Sequence, residues 1–380
     1  MFRFMKTSSV IAAIALTGII AGTAGYQIGL RRTTQPAASV GTTPPRTNAG
    51  TERRIVLNPT DLTKLRAELD GETEPLKRFN HALKNMEAWV NADPKGALAW
   101  LRSQQPSGRR DEVIHRALQQ YASNNPQGAA EWAKDNLTGI DLNNTLIRIC
   151  EQWSRTNGRE AAEWTSALPP SHARDAALEG LTFAWASQDP AAALEYLKTS
   201  QVDPTLASIL RYAAYAGWAK TDPVNAVRGS LESSRVFNDP EQFANTLANW
   251  ATIDVAAAGK WLLENPLNPA EKSLAAKELA GIYANQSPQA GIAWINQLDG
   301  ADKKAALGEF ADGWASTDPS AAAQWAATLP AGSLDDDAVA KILHGFLSDD
   351  HAAFEKWRDS LTDGPLKQQA LKVVAGEPGN

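Results

Sequence analysis

The run Trp-Ala-Ser-Thr-Asp-Pro-Ser-Ala-Ala-Ala-Gln-Trp, residues 314–325, sets out a pattern that the chain repeats. Counted from Trp314 as position zero, it places a capping residue, Asp318, at plus four, Ala322 at plus eight and a second aromatic, Trp325, at plus eleven. The zero positions along the chain are Trp89, Tyr121, Trp153, Trp185, Trp218, Trp250, Tyr283, Trp314 and Phe346, 31 to 33 residues apart. At plus eleven stand Trp100, Trp132, Trp164, Tyr196, Gly229, Trp261, Trp294, Trp325 and Trp357, and only Gly229 is not aromatic. All 13 Trp fall on one of these two rows in a chain that is only 7% aromatic, so the register is not accidental. A fixed period in this range is the mark of stacked two-helix units.

The residue types say why the period exists. Plus four is Asp93, Asn125, Asn157, Asp189, Asp222, Asp254, Ser287, Asp318 or Asp350, each able to accept a hydrogen bond from a free amide at a helix start. Six of the nine precede Pro, whose missing N–H would be unpaired in a first helical turn anyway. Plus eight and plus eleven are three residues apart on the helix that begins there, so a small and a large side chain share one face. Before zero, apolar residues recur at minus seven, minus four and minus three, as in Ile114, Ala117 and Leu118 before Tyr121, which is helical periodicity. No segment shows sustained two-residue alternation. The body is therefore expected to be all-α, an α-solenoid (superhelix) of about nine antiparallel helix pairs over residues 80–375. Asn58-Pro59 and Asp70-Gly71 bracket a helix that opens an N-terminal cap over 55–79, and 376–380 is a tail.

The run Asp-Pro-x-x-Ala-x-x-Trp, at residues 93–100 and 318–325, resembles the second helix of Sel1-like repeats and, more loosely, of tetratricopeptide repeats. The resemblance covers about residues 80–375 at the level of the repeat. The unit departs from those families in being shorter than about 34 residues and in lacking their Gly-containing turn between helices. The resemblance implies a right-handed α-superhelix that binds partners, and it carries over no catalytic residues.

Ahead of the body, an apolar, small-residue run from Val10 to Leu30 is closed by Arg31 and Arg32. Its 21 residues match a bilayer-spanning helix, whereas the hydrophobic region of a signal peptide has roughly 7 to 15. Residues 1–32 are accordingly read as an uncleaved signal-anchor that contacts the membrane through 10–30. Gly22-Thr23-Ala24 leaves a cleaved signal peptide, and hence a secreted body, as the alternative. Basic residues flank both ends, so charge does not orient the segment. Because short basic N-termini commonly act as export signals, the body is expected outside the cytoplasm, periplasmic or extracellular. Gly18 and Gly22, then Gly25 and Gly29, have the spacing that lets two membrane helices pair, so a homodimer through this segment is a further expectation. The plainer reading is that small residues are common in export signals. Residues 33–54, rich in Thr, Pro, Ala and Gly, read as a flexible linker.

Charge and chemistry narrow the function. The net charge of −6 hides seven basic residues against one acidic in 1–54, which leaves the remainder near −12 and ill-suited to nucleic acid. Cys150 is the single cysteine, so no intramolecular disulfide forms. His81, His115, His172, His344 and His351 include no pair at metal-ligand helical spacing, and neither a Gly-rich phosphate loop nor a nucleophile elbow occurs. No catalytic residue, metal or cofactor is expected. The Trp rows, locked to the repeat beside Ala, are expected to be core rather than a sugar platform.

Two first-helix positions are left over by the core. Minus five runs Lys84, Arg116, Arg148, Gly180, Ala213, Asn245, Glu278, Glu309, Lys341, and minus two runs Glu87, Gln119, Glu151, Phe183, Ala216, Ala248, Gly281, Asp312, His344. Both rows lose charge in the middle three repeats, where Phe183 and Tyr212 add aromatic surface beside the Gly229 departure. This uncharged middle, flanked by Arg116 and Arg148 on one side and by Glu278, Glu309 and Asp312 on the other, is the expected groove for a protein partner. The plain alternative is a solvated helix face with intrahelical pairs such as Lys84 with Glu87. The functional expectation is a membrane-tethered scaffold for protein–protein interaction in the cell envelope. The rival class is an envelope glycan-binding or glycan-processing accessory protein.

Overall fold

The computed structural model of the chain describes residues 57–376, and these are all-helical. The expected membrane segment, the linker and the end of the tail lie outside the described residues. Among the described residues no helix is long and apolar enough to cross a membrane.

A leading helix, α1 (Pro59–Gly71), precedes the pairs α2 (Pro75–Ala92) with α3 (Pro94–Ser103) and α4 (Gly108–Asn124) with α5 (Pro126–Asn136). The third pair is written as one element, α6 (Gly139–Ser166), bent at Asn157. Then come α7 (His172–Ala186) with α8 (Pro190–Thr199), α9 (Pro204–Ala219) with α10 (Pro223–Phe237), and α11 (Pro240–Ile253) with α12 (Val255–Glu264). The last pairs are α13 (Pro269–Gln286) with α14 (Pro288–Ile295), α15 (Gly300–Thr317) with α16 (Pro319–Ala326), and α17 (Asp336–Asp349) with α18 (His351–Ser360), followed by α19 (Pro365–Ala375). Substantial helix contacts join only elements one or two places apart in the chain, the nearest-neighbour connectivity of a repeat array. The cap boundary drawn at 79/80 falls inside α2, so α1 alone precedes the first pair.

The corner between the two helices of a pair is often a single residue. Asp93, for example, has φ −146° and ψ 79°, which is neither helical nor left-handed. Its own N–H still bonds back to the Trp89 carbonyl, and its side chain accepts from the Gly96 amide at 2.9 Å. One short side chain thus ends one helix and starts the next, and so no glycine turn is required. Asn125, Asp254, Asp318 and Asp350 repeat the arrangement. Asn157 does so inside α6, followed by Gly158 instead of Pro. Ser287 takes the same backbone geometry without a side-chain cap bond.

The aromatic rows are core. Zero-position rings are buried except Trp218, which is half-buried, and at plus eleven Trp132, Tyr196, Trp261, Trp294 and Trp325 are buried too. Within a pair the two rings meet at centroid distances such as 5.6 Å for Trp89 with Trp100 and 5.1 Å for Tyr283 with Trp294. Such contacts add to area burial. The buried apolar residues fall into two continuous clusters, one from Leu65 to Ala214 and one from Val227 to Val373, divided within the fifth pair.

Successive first helices meet through position minus one. In the fifth pair this is Gly217, where an added β-carbon would strike the carbonyl oxygen of Phe183 on α7. Gly313 and Gly345 occupy the same row, Gly313 facing Ala284 on the preceding first helix and Gly345 facing Pro319 at the start of α16 and the Ala315 carbonyl of α15. At Gly217 backbone therefore packs directly on backbone. Gly217→Ala should lower stability by about 1–3 kcal/mol through overpacking, read as an earlier midpoint in urea. An unshifted midpoint would mean that α7 and α9 separate freely.

Candidate functional site

In the second and third pairs the minus-one residue is large. Gln120 on α4 donates through Nε2 to Asn91 Oδ1 on α2 at 2.8 Å, and Gln152 on α6 donates to Ser123 Oγ on α4 at 2.8 Å. At Gly217 the backbone of α7 takes the place of such a rung, and the first three first helices touch one another least. Between α4 and α6 they leave an open groove of ≈ 490 Å³, lined by Arg116, Gln119, Gln120, Arg148, Gln152 and Arg155, with Ser123 and Glu151 completing it. No aromatic side chain lines it.

Its electrostatics are uneven. Arg116 is paired with Glu112 one turn earlier on α4. Arg148 and Arg155 are exposed, and neither has an ion-pair partner among the described residues. Glu151 lies between them on α6, half-buried, with Gly180 of α7 leaving room for its carboxylate. Burial holds the Glu151 pKa above the ordinary carboxylate range, and the fields of Arg155, Arg148 and Lys220 pull it back down. The groove therefore presents more positive than negative charge, in a repeat body that is acidic overall. Arginine suits such a place because its planar fork pairs bidentately with carboxylates.

Of the residues singled out in the sequence, Arg116 and Arg148 come together here. Arg155, which joins them, stands outside the minus-five and minus-two rows, at plus two. That row reads Asn91, Ser123, Arg155, Ser187, Lys220, Thr252, Asn285, Ser316, Ser348, and its two cations stand out. Phe183 and Tyr212 are both half-buried. The Lys220 ammonium lies 4.6 Å from the Phe183 ring centroid, and the Tyr212 hydroxyl donates to Asp239 Oδ1 at 2.8 Å. Burial and that carboxylate raise the Tyr212 pKa, so its hydroxyl stays protonated and committed to Asp239. At the acidic end Glu309 pairs with Lys277 at 3.5 Å and Asp312 with Lys341. Glu278 is held above the usual range by burial and by Glu309 nearby.

Gly229 is a packing variant. Trp218 and Tyr215 stack at 6.1 Å over it, and an added β-carbon would stand 2.9 Å from Trp218 Cζ3 and 3.3 Å from Tyr215 Cε1. Tyr215, at minus three, supplies the bulk that plus eleven lacks. Cys150 is buried, its thiol pushed up to about 11 chiefly by burial, which leaves little thiolate at neutral pH. A second cleft of ≈ 230 Å³ includes Arg102, Arg110, Asp111, His115 and Asp141 in its lining. Its cations are spent on structure: Arg110 binds Asp111 and the Gln104 carbonyl, and Arg102 binds the Asn136 carbonyl.

Comparison of the chain with protein-family models, characterised proteins and solved structures finds no match. The likeness to Sel1-like and tetratricopeptide repeats rests on the recurring Asp-Pro-x-x-Ala-x-x-Trp run alone.

Proposed function

We propose that this chain is a non-catalytic helical-repeat scaffold, an α-solenoid of nine helix pairs, that binds a protein partner on the outward face of its first helices. The observation that carries this reading is the groove between α4 and α6, where two exposed arginines without ion-pair partners among the described residues are held on a repeated helical frame. Burial of nine of the 13 Trp weighs against the glycan alternative, because those rings are engaged in the core, and Trp100, Trp164, Trp218 and Trp357 are only half-buried. The apolar run at 10–30 supports a membrane tether with the body in the cell envelope, and its glycine spacing supports pairing of two chains there.

A photo-crosslinking residue at Gln119, exposed in the groove, should yield a covalent adduct with a protein in cells. The same residue at Lys134, exposed on α5, should not. Equal adducts from both positions, or adducts with glycan only, would remove the proposal.

A further inference from the structure

We infer that the α4/α6 groove is a receptor for an extended acidic peptide segment, with carboxylates about three residues apart seated on Arg148 and Arg155. The inference rests on the scaffold reading and names the chemistry of its partner.

Spacing is the first ground. Arg148 and Arg155 are seven residues apart on one helix, which is about two turns, or about 10 Å along the axis. A polyproline II segment rises about 3.1 Å per residue and returns to the same face every third residue. Carboxylates three apart therefore match the two guanidinium groups, and Arg116 on the opposite wall neutralises further negative charge. The lining is the second ground. Gln120 and Gln152 spend amide N–H groups on the rungs to Asn91 and Ser123, yet their side-chain carbonyl oxygens make no hydrogen bond among the described residues. Those acceptors, with Gln119, suit the free N–H groups of an extended backbone, which a helical guest would not offer. Without an aromatic in the lining, the groove has nothing on which a base or sugar ring would stack.

Glu151 fits the same picture as a counter-charge. It offsets part of the mutual repulsion of the arginines, whose fields favour its ionised form, and it opposes any anion that enters. Its removal should therefore strengthen binding, whereas loss of either arginine weakens it. These opposite directions separate recognition from damage to the fold.

The test is fluorescence anisotropy with the purified full-length protein and a labelled peptide of about nine residues, repeating Glu-Pro-Ala, against the same peptide with Gln for Glu. The Glu peptide should bind at least tenfold more tightly, and binding should weaken as salt rises, because the groove is open to solvent. Arg148→Ala combined with Arg155→Ala should lose at least tenfold in affinity with an unchanged melting midpoint. Glu151→Gln should gain severalfold, and Lys64→Ala on α1 should change nothing. The inference is overturned if the Gln peptide binds equally, or if the double variant retains affinity. It is likewise overturned if inorganic tripolyphosphate binds more tightly than the Glu peptide, which would mark a phosphate site. Crosslinks absent in cells alongside tight, arginine-dependent peptide binding would defeat the scaffold reading while leaving the groove's chemistry standing.

Discussion

Trp185→Ala should lower stability by about 3–5 kcal/mol, the largest single effect expected in the array. The ring is 6% exposed and covers Gly158, where an added β-carbon would fall within it. It also meets Tyr196 at 5.8 Å. Truncation removes the transfer energy of an indole and leaves a cavity bounded by two helices whose backbones are already fixed by capped corners, so little collapse is available. Because helix contacts are nearest-neighbour, the loss should concentrate in the half built on the Leu65–Ala214 cluster. Urea unfolding followed by hydrogen exchange should show that half opening first while the other keeps its protection. Trp185→Phe should recover part of the loss. An unfolding curve that does not move would show that the row is not the core it is taken for.

Arg235→Ala should destabilise by about 2–3 kcal/mol, somewhat less than for fully buried pairs because half of the arginine side chain is exposed. Arg235 Nε and Nη2 donate to the two carboxylate oxygens of Glu271 at 2.7 and 2.8 Å. Glu271 is buried, and it also accepts the Asn268 N–H at 3.1 Å as part of a capping box that starts α13. Without the guanidinium, a buried carboxylate keeps only its cap bond.

The pH dependence gives a second readout. The Arg235 hydrogen bonds hold the Glu271 pKa below its ordinary value, with burial opposing. Its contribution is thus complete above the unfolded value of about 4.3 and is lost as pH falls through the lower folded value. In Arg235→Ala burial dominates, so the defect should be greatest at neutral pH and shrink on acidification. Glu151, Glu179 and Glu278 behave in the opposite sense: burial raises them, so their ionised forms weaken the fold above the raised folded values. That weakening disappears as pH falls to the unfolded value. Urea midpoints of both proteins between about pH 2.5 and 7 check the difference, and parallel profiles would sink this role for the pair.

Much of this was legible in the chain because its signals are local. Asp or Asn before Pro, Ala three residues before an aromatic, and apolar residues at helical spacing each depend on neighbours within one pair, and pairs such as α2 with α3 or α15 with α16 follow them. What was not legible depends on the approach of one repeat to the next. Lys220 covers Phe183 from the following pair, and Asp239 claims the Tyr212 hydroxyl from beyond α10. The exchange of bulk from Gly229 to Tyr215 requires knowing that minus three and plus eleven fill one space. The groove lies where Gln120 and Gln152 of the minus-one row bridge α4 to α2 and α6 to α4, and because the same row holds Asn249 and Ile282 further along, the row alone does not mark it.

The division of the apolar interior within the fifth pair bears on how the array carries load. Each half has a core of its own, so stretching the body need not expose either. The tie at the division includes polar bonds, with Tyr212 and Ser208 of α9 both reaching Asp239 ahead of α11. Such bonds are short-ranged: they break within a small displacement and re-form as soon as the groups return. Under tension the body should therefore yield where polar bonds tie successive first helices, at this tie and at the amide rungs of Gln120 and Gln152, while each apolar core stays closed.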